Sequence, residues 1–79
     1  MIVKLSKTFQ KSFKALDKPM KQRVRTAIEK LPLGDIKKLQ GYTAMYRLRI
    51  GNYRVIFEMN NDIIYIKDIL PRGQAYNNI

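Results

Sequence analysis

The stretch YRLRIGNYRVIFEM, residues 46–59, decides how this 79-residue chain folds. Gly51-Asn52 stands between two runs of alternating apolar residues, and both residue types tolerate the positive φ of a tight hairpin turn. A two-residue turn pairs Ile50 with Tyr53 and sets Arg49 directly across from Arg54. Arg47 lies two residues back on the same face. Like charges facing each other across a strand pair are destabilising, so this hairpin asks for a compensating anion. On the other face, Tyr46, Leu48, Ile50, Tyr53, Val55 and Phe57 form an apolar surface able to pack on helices.

Upstream of the hairpin the period is helical. IVKL, residues 2–5, reads as a short opening strand, and Ser6 suits a helix N-cap. Phe9, Phe13 and Leu16 then recur at helical spacing, with Lys7, Lys11 and Lys14 on the opposite face. Asp17-Lys18-Pro19 breaks this helix, and Pro19 suits the start of the next. Met20, Val24, Ala27, Ile28 and Leu31 make the second apolar stripe, which Pro32 and Gly34 terminate. Two short helices joined by a tight turn form an αα-hairpin. DIKKLQG, residues 35–41, reads as a polar connection anchored by Ile36 and Leu39. Downstream, Asn60-Asn61-Asp62 makes a second turn. IIYIKDI, residues 63–69, is a further strand whose consecutive apolar residues imply cover on both faces and leave its parity open. The expectation is a single domain over residues 1–79 of α+β class: a short N-terminal strand and an αα-hairpin packed on one face of a small antiparallel sheet. The other face is expected to be open and to carry the arginines.

Composition narrows the chemistry. Sixteen Lys and Arg against six Asp and Glu give a net charge of +10, which points to a polyanionic partner, either nucleic acid or an acidic protein segment. The chain has no cysteine and no histidine. That removes disulfides, thiolate metal sites and the usual general base near neutral pH. No apolar run approaches the roughly 20 residues of a membrane span, and the N-terminus is too short and polar for a secretory signal. A cytoplasmic protein without cofactor or metal is the expectation. The lysine stripe Lys7, Lys11 and Lys14 is usually just a solvated face; the alternative is an electrostatic attractor for RNA or the ribosome. Around the hairpin, Arg54 could pair with Glu58 or Asp68, but nearby acids are too few for all three arginines. Guanidinium forks match phosphate oxygens bidentately. In LPRGQAYNNI, Pro71 and Gly73 bracket Arg72 in a turn that aims its side chain. Tyr76 either anchors the tail or stacks on a base.

GDIKKLQG, MYRLRIGNYRVIFEM and LPRGQAY, behind a basic helical hairpin, together resemble the RelE/ParE superfamily of type II toxins, and look most like the RelE-like mRNA interferases. The similarity covers essentially the whole chain and is strongest from Gly34 to Tyr76. It implies a toxin that cleaves messenger RNA on the ribosome without a metal and is neutralised by a cognate antitoxin in a hetero-oligomer. Position by position, it implies RNA-binding roles for Arg47 and Arg49 and a catalytic set of Arg49, Arg54, Arg72 and Tyr76. Well-known RelE members carry lysines where Arg47 and Arg49 stand, one of them a proposed base. Arginine, which stays protonated up to strongly alkaline pH, is a poor base. Pro71 also replaces the histidine or lysine often found before the tail arginine. Glu58 is adjacent by parity, as an ion-pair partner or a base. Two other classes compete: a ParE-like toxin that poisons DNA gyrase without nuclease chemistry, and a non-catalytic basic binding module.

Overall fold

The computed structural model describes residues 2–74. Its elements follow in the order β1 (Ile2–Leu5), α1 (Lys7–Lys14), α2 (Lys18–Glu29), β2 (Ile36–Lys38), β3 (Met45–Ile50), β4 (Tyr53–Asn60), β5 (Ile63–Pro71) and a 3-10 turn (Arg72–Gln74). The five strands form one sheet in the order β1-β5-β4-β3-β2. Three of the four pairings are antiparallel, as the hairpin signals predict. The fourth differs: β1 runs parallel to β5, with Ile2 opposite Ile63 and Leu5 opposite Ile66. A parallel pair needs a crossover between its strands. Here everything from α1 to β4 makes that crossover, so no local signal could have revealed it.

Local chemistry sets the helices. Ser6 caps α1, its Oγ accepting from the Phe9 N–H at 2.9 Å, and the same hydroxyl donates to the Lys67 carbonyl of β5. Asp17 caps α2 by accepting from the Met20 N–H at 2.8 Å, with Pro19 in the first turn. Both helices lay their apolar stripes on one sheet face. Phe9 and Val24 join Leu48, Ile50, Val55, Phe57, Ile64, Ile66 and Ile69 in one core, and Phe13, Met20, Ile28, Tyr46 and Tyr53 pack around it. The apolar face expected of the hairpin is therefore the core face.

Three sequence expectations need correction. DIKKLQG is not merely a connection, because Ile36–Lys38 pairs with β3 as an edge strand, Lys37 facing Arg47. The β5 run is not covered on both faces: Ile63 and Tyr65 are exposed while Ile64, Ile66 and Ile69 are buried. A bulge explains that pattern, since Ile56 pairs with Asp68 but Phe57 with Ile66, leaving Lys67 as the extra residue. An extra residue shifts side-chain parity within one strand. Nor is the second sheet face wholly open, for Leu39, Met45 and Ile56 form a small buried cluster on it. The 40–44 loop is tied down beside that cluster, the Met59 N–H donating to the Ala44 carbonyl at 3.0 Å. Among the described residues no helix is long and apolar enough to cross a membrane.

Val24 has no exposed surface, whereas Leu33 is 73% exposed. Val24→Ala should lower the unfolding free energy by about 2 kcal/mol through lost burial and a cavity under α2. Leu33→Ala should stay within about 0.5 kcal/mol of the parent. Urea titrations followed by circular dichroism would separate the two.

Candidate nucleic-acid interface

The β3–β4 turn forms as its sequence demands. Ile50 pairs with Tyr53 and Arg49 with Arg54. Gly51 takes φ +57° while Asn52 does not share the left-handed region, so a single glycine at the first central position carries the turn, as in a type II′ hairpin. Arg47, Arg49 and Arg54 then project from the sheet face opposite the helices. β2 and the residue before it add two charged groups near this face. Lys37 stands opposite Arg47, and Asp35 precedes β2 with its carbonyl accepting from the Arg49 N–H at 2.9 Å. Neither placement is encoded in a local pattern of residues 35–41. The one available signal was the apolar pair Ile36 and Leu39 around two lysines.

Arg72 arrives from the end of β5. Its N–H donates to the Asn52 carbonyl at 2.7 Å, which pins the start of the 3-10 turn against the hairpin turn. The turn expected from Pro71 and Gly73 is therefore present, and its backbone is fixed by the β3–β4 loop. Tyr76 lies outside the described residues. Lys7, Lys11 and Lys14 are exposed on α1, which belongs to the layer on the other side of the sheet. The structure does not gather them with the arginines.

Arg54 is the centre of the cluster. It is only 8% exposed, and its Nη1 donates to the Tyr53 and Gly51 carbonyls at 3.0 and 3.3 Å. Its pKa is lowered from the usual arginine value, first by burial, then by the positive charges of Arg49, Arg47 and Arg72, with Asp35 opposing the shift. The ion pairs considered from sequence do not form. The Asp68 carboxylate turns instead to Ser12 Oγ at 3.0 Å and the Ile69 N–H at 2.8 Å, and the hydrogen bonds of Arg54 run to backbone carbonyls. Four guanidiniums thus converge with one acid, Asp35, among them. Such an arrangement suits a phosphate group, which offers oxygens in the plane of each fork.

A lowered folded-state pKa means that the unfolded chain holds this proton more tightly. The cost of the charged group is therefore present throughout the range below the depressed value and fades only as strongly alkaline pH is reached. Neutral pH cannot relieve it; substitution can. Arg54→Met should raise the stability of the free protein by about 1 kcal/mol, since removing an incompletely compensated buried charge is commonly neutral or stabilising. Thermal melts of parent and variant at low salt would show it as a higher midpoint. Added salt should narrow the gap by screening the repulsion.

Comparison with known proteins agrees with this geometry. Residues 3–76 match the family model for the ParE toxin of the type II toxin–antitoxin system parDE. The chain is 35% identical to Toxin RelE3 of Methanocaldococcus jannaschii over 98% of its own length and 97% of that protein. It superposes on one chain of the RelB-RelE antitoxin–toxin complex from Methanococcus jannaschii with a TM-score of 0.81 at 33% identity, covering 96% of this chain and 98% of that one. The archaeal RelE-RelB complex from Pyrococcus horikoshii OT3 gives a TM-score of 0.75 at 34% identity, covering 94% and 97%. Sequence, sheet order and hairpin therefore lead to one conclusion: the chain belongs to the RelE/ParE superfamily of type II toxin–antitoxin toxins.

Proposed function

We propose that this toxin is a ribosome-dependent endoribonuclease that cleaves messenger RNA without a metal and that a cognate antitoxin protein holds in check. The observation that carries the reading is the clustering of Arg47, Arg49 and Arg72 around the buried, incompletely compensated guanidinium of Arg54. In the reaction, the 2′-oxygen bonds to the adjacent phosphorus as its proton leaves. The bond from phosphorus to the 5′-oxygen breaks, and that oxygen takes up a proton. The products are a 2′,3′-cyclic phosphate and a free 5′-hydroxyl. Negative charge accumulates on the phosphoryl oxygens in between, and preorganised donors there supply most of the stabilisation.

Arg54 is the best-fixed donor, because two backbone carbonyls hold its guanidinium in place. Arg72 stands beside it through its bond to the turn and is assigned to the leaving oxygen. Arg49 and Arg47 bind the flanking phosphates. Tyr76 is assigned to stacking on the nucleotide or to proton transfer, and Lys7, Lys11 and Lys14 to long-range attraction of the ribosome. An acidic, amphipathic antitoxin segment complements both the +10 charge and the exposed apolar side chains Ile2, Val3 and Leu5 of the β1 edge.

One observation favours a second reading. The matching family model is described by ParE, and arginines stand where RelE members carry lysines. A toxin that poisons DNA gyrase without cutting RNA satisfies both. Induction followed by mapping of transcript 5′ ends separates the readings. Codon-phased cuts should appear with the parent protein and fall about a hundredfold or more with Arg72→Ala. Intact transcripts accompanied by gyrase-linked DNA breaks would replace the nuclease with the gyrase poison.

A further inference from the structure

Arg23 is a cation for which the proposed cleavage has no use, yet it is placed with care. It belongs to α2, on the helical side of the sheet, but its guanidinium reaches the β3–β4 turn. A Cβ added to Gly51 would lie 3.0 Å from Arg23 Nη1 and 3.1 Å from Nη2. Glycine at position 51 thus does two things: it takes the left-handed φ of the turn and leaves room for this guanidinium. From there a cleft of about 370 Å³ runs between α2 and β3. Arg23, Lys30, Arg49 and Asp35 line it, with Ala27 and Leu48 among its apolar lining.

Arg49 belongs to this cleft and to the arginine face alike, so the two are continuous around the hairpin turn. Three cations face one carboxylate in the cleft. A partner that crosses from one side to the other must carry negative charge at successive points along an extended chain and an apolar body between them. Single-stranded RNA does both, with phosphates for the guanidiniums and a base or ribose for the apolar lining. We propose that Arg23, with Lys30 and Arg49, forms a second phosphate subsite in the α2–β3 cleft, which holds the RNA strand flanking the cleaved phosphodiester. The inference rests on the RNA-cleaving reading above.

The probe is a fluorescent single-stranded oligoribonucleotide carrying 2′-O-methyl groups throughout, which blocks the nucleophile and prevents cleavage. Anisotropy titrations at several salt concentrations would compare the parent with Arg23→Ala and with Lys4→Ala. Arg23 is exposed on its helix, so its truncation should leave the fold intact, and Lys4 lies on β1 at the opposite edge of the sheet. Arg23→Ala should bind roughly three- to tenfold more weakly and lose about 0.7 from the slope of log affinity against log salt, as for one lost phosphate contact on a single strand. Lys4→Ala should change neither. Equal binding by Arg23→Ala and the parent would overturn the subsite while leaving the nuclease reading intact. So would equal losses in both variants, which would show bulk charge alone. A loss seen only with a polyglutamate peptide would assign the cleft to a protein partner and overturn it too. A parent protein that binds no RNA would overturn the subsite as well, whereas the ribosome-dependent nuclease reading stands or falls with the mapping of transcript 5′ ends.

Discussion

Arg54 sits buried at the base of the β3–β4 turn, held by two backbone carbonyls and surrounded by Arg47, Arg49 and Arg72. The electrostatics of the whole face turn on that crowding. A buried charge without a matched counter-ion is costly, and each neighbour of like sign adds to the cost. Asp35 offsets part of it. The rest remains in the free protein as repulsion that an anion would remove. Strain of this kind is tolerated only where the surrounding structure over-determines it.

Here it is over-determined by the opposite face of the same strands. Leu48, Ile50, Val55 and Phe57 alternate with the arginines and are nearly or fully buried beneath the helices. A one-residue slip in register would turn every arginine into the core and every core residue to solvent. The hydrophobic burial that fixes the register therefore also fixes the guanidiniums, and Gly51 closes the hairpin in the one register that satisfies both. Phe57 stacks on Tyr46 with ring centroids 5.6 Å apart, which locks the cross-strand pair next to Arg47.

The fold also explains why Arg72 reaches the cluster. β5 lies between β1 and β4 and ends beside the hairpin turn, where the Arg72 N–H meets the Asn52 carbonyl. The bulge at Lys67 lets Ile66 and Ile69 both point into the core although they are three positions apart. At the same position, the Lys67 carbonyl accepts from Ser6 and the Asp68 carboxylate from Ser12. This fastens α1 to β5 and withdraws Asp68 from the arginines. The irregularity thus anchors a helix and leaves the cationic face less neutralised.

By itself, the sequence determined the hairpin, its register, the two helices with the Ser6 cap of the first, and the opposition of Arg49 and Arg54. Each follows from local rules: strand alternation, turn glycine, cap residues and helical spacing act over a few residues. The family resemblance was legible for the same reason, since its motifs lie in that hairpin, in the segment just before it and at the end of β5. Tertiary structure alone decided the parallel pairing of β1 with β5, the edge strand that brings Lys37 and Asp35 to the arginines, the bulge that settles the parity of β5, and the reach of Arg23 over Gly51. These link residues far apart in the chain, and whether such groups meet depends on the packing of the whole domain, which no local pattern encodes.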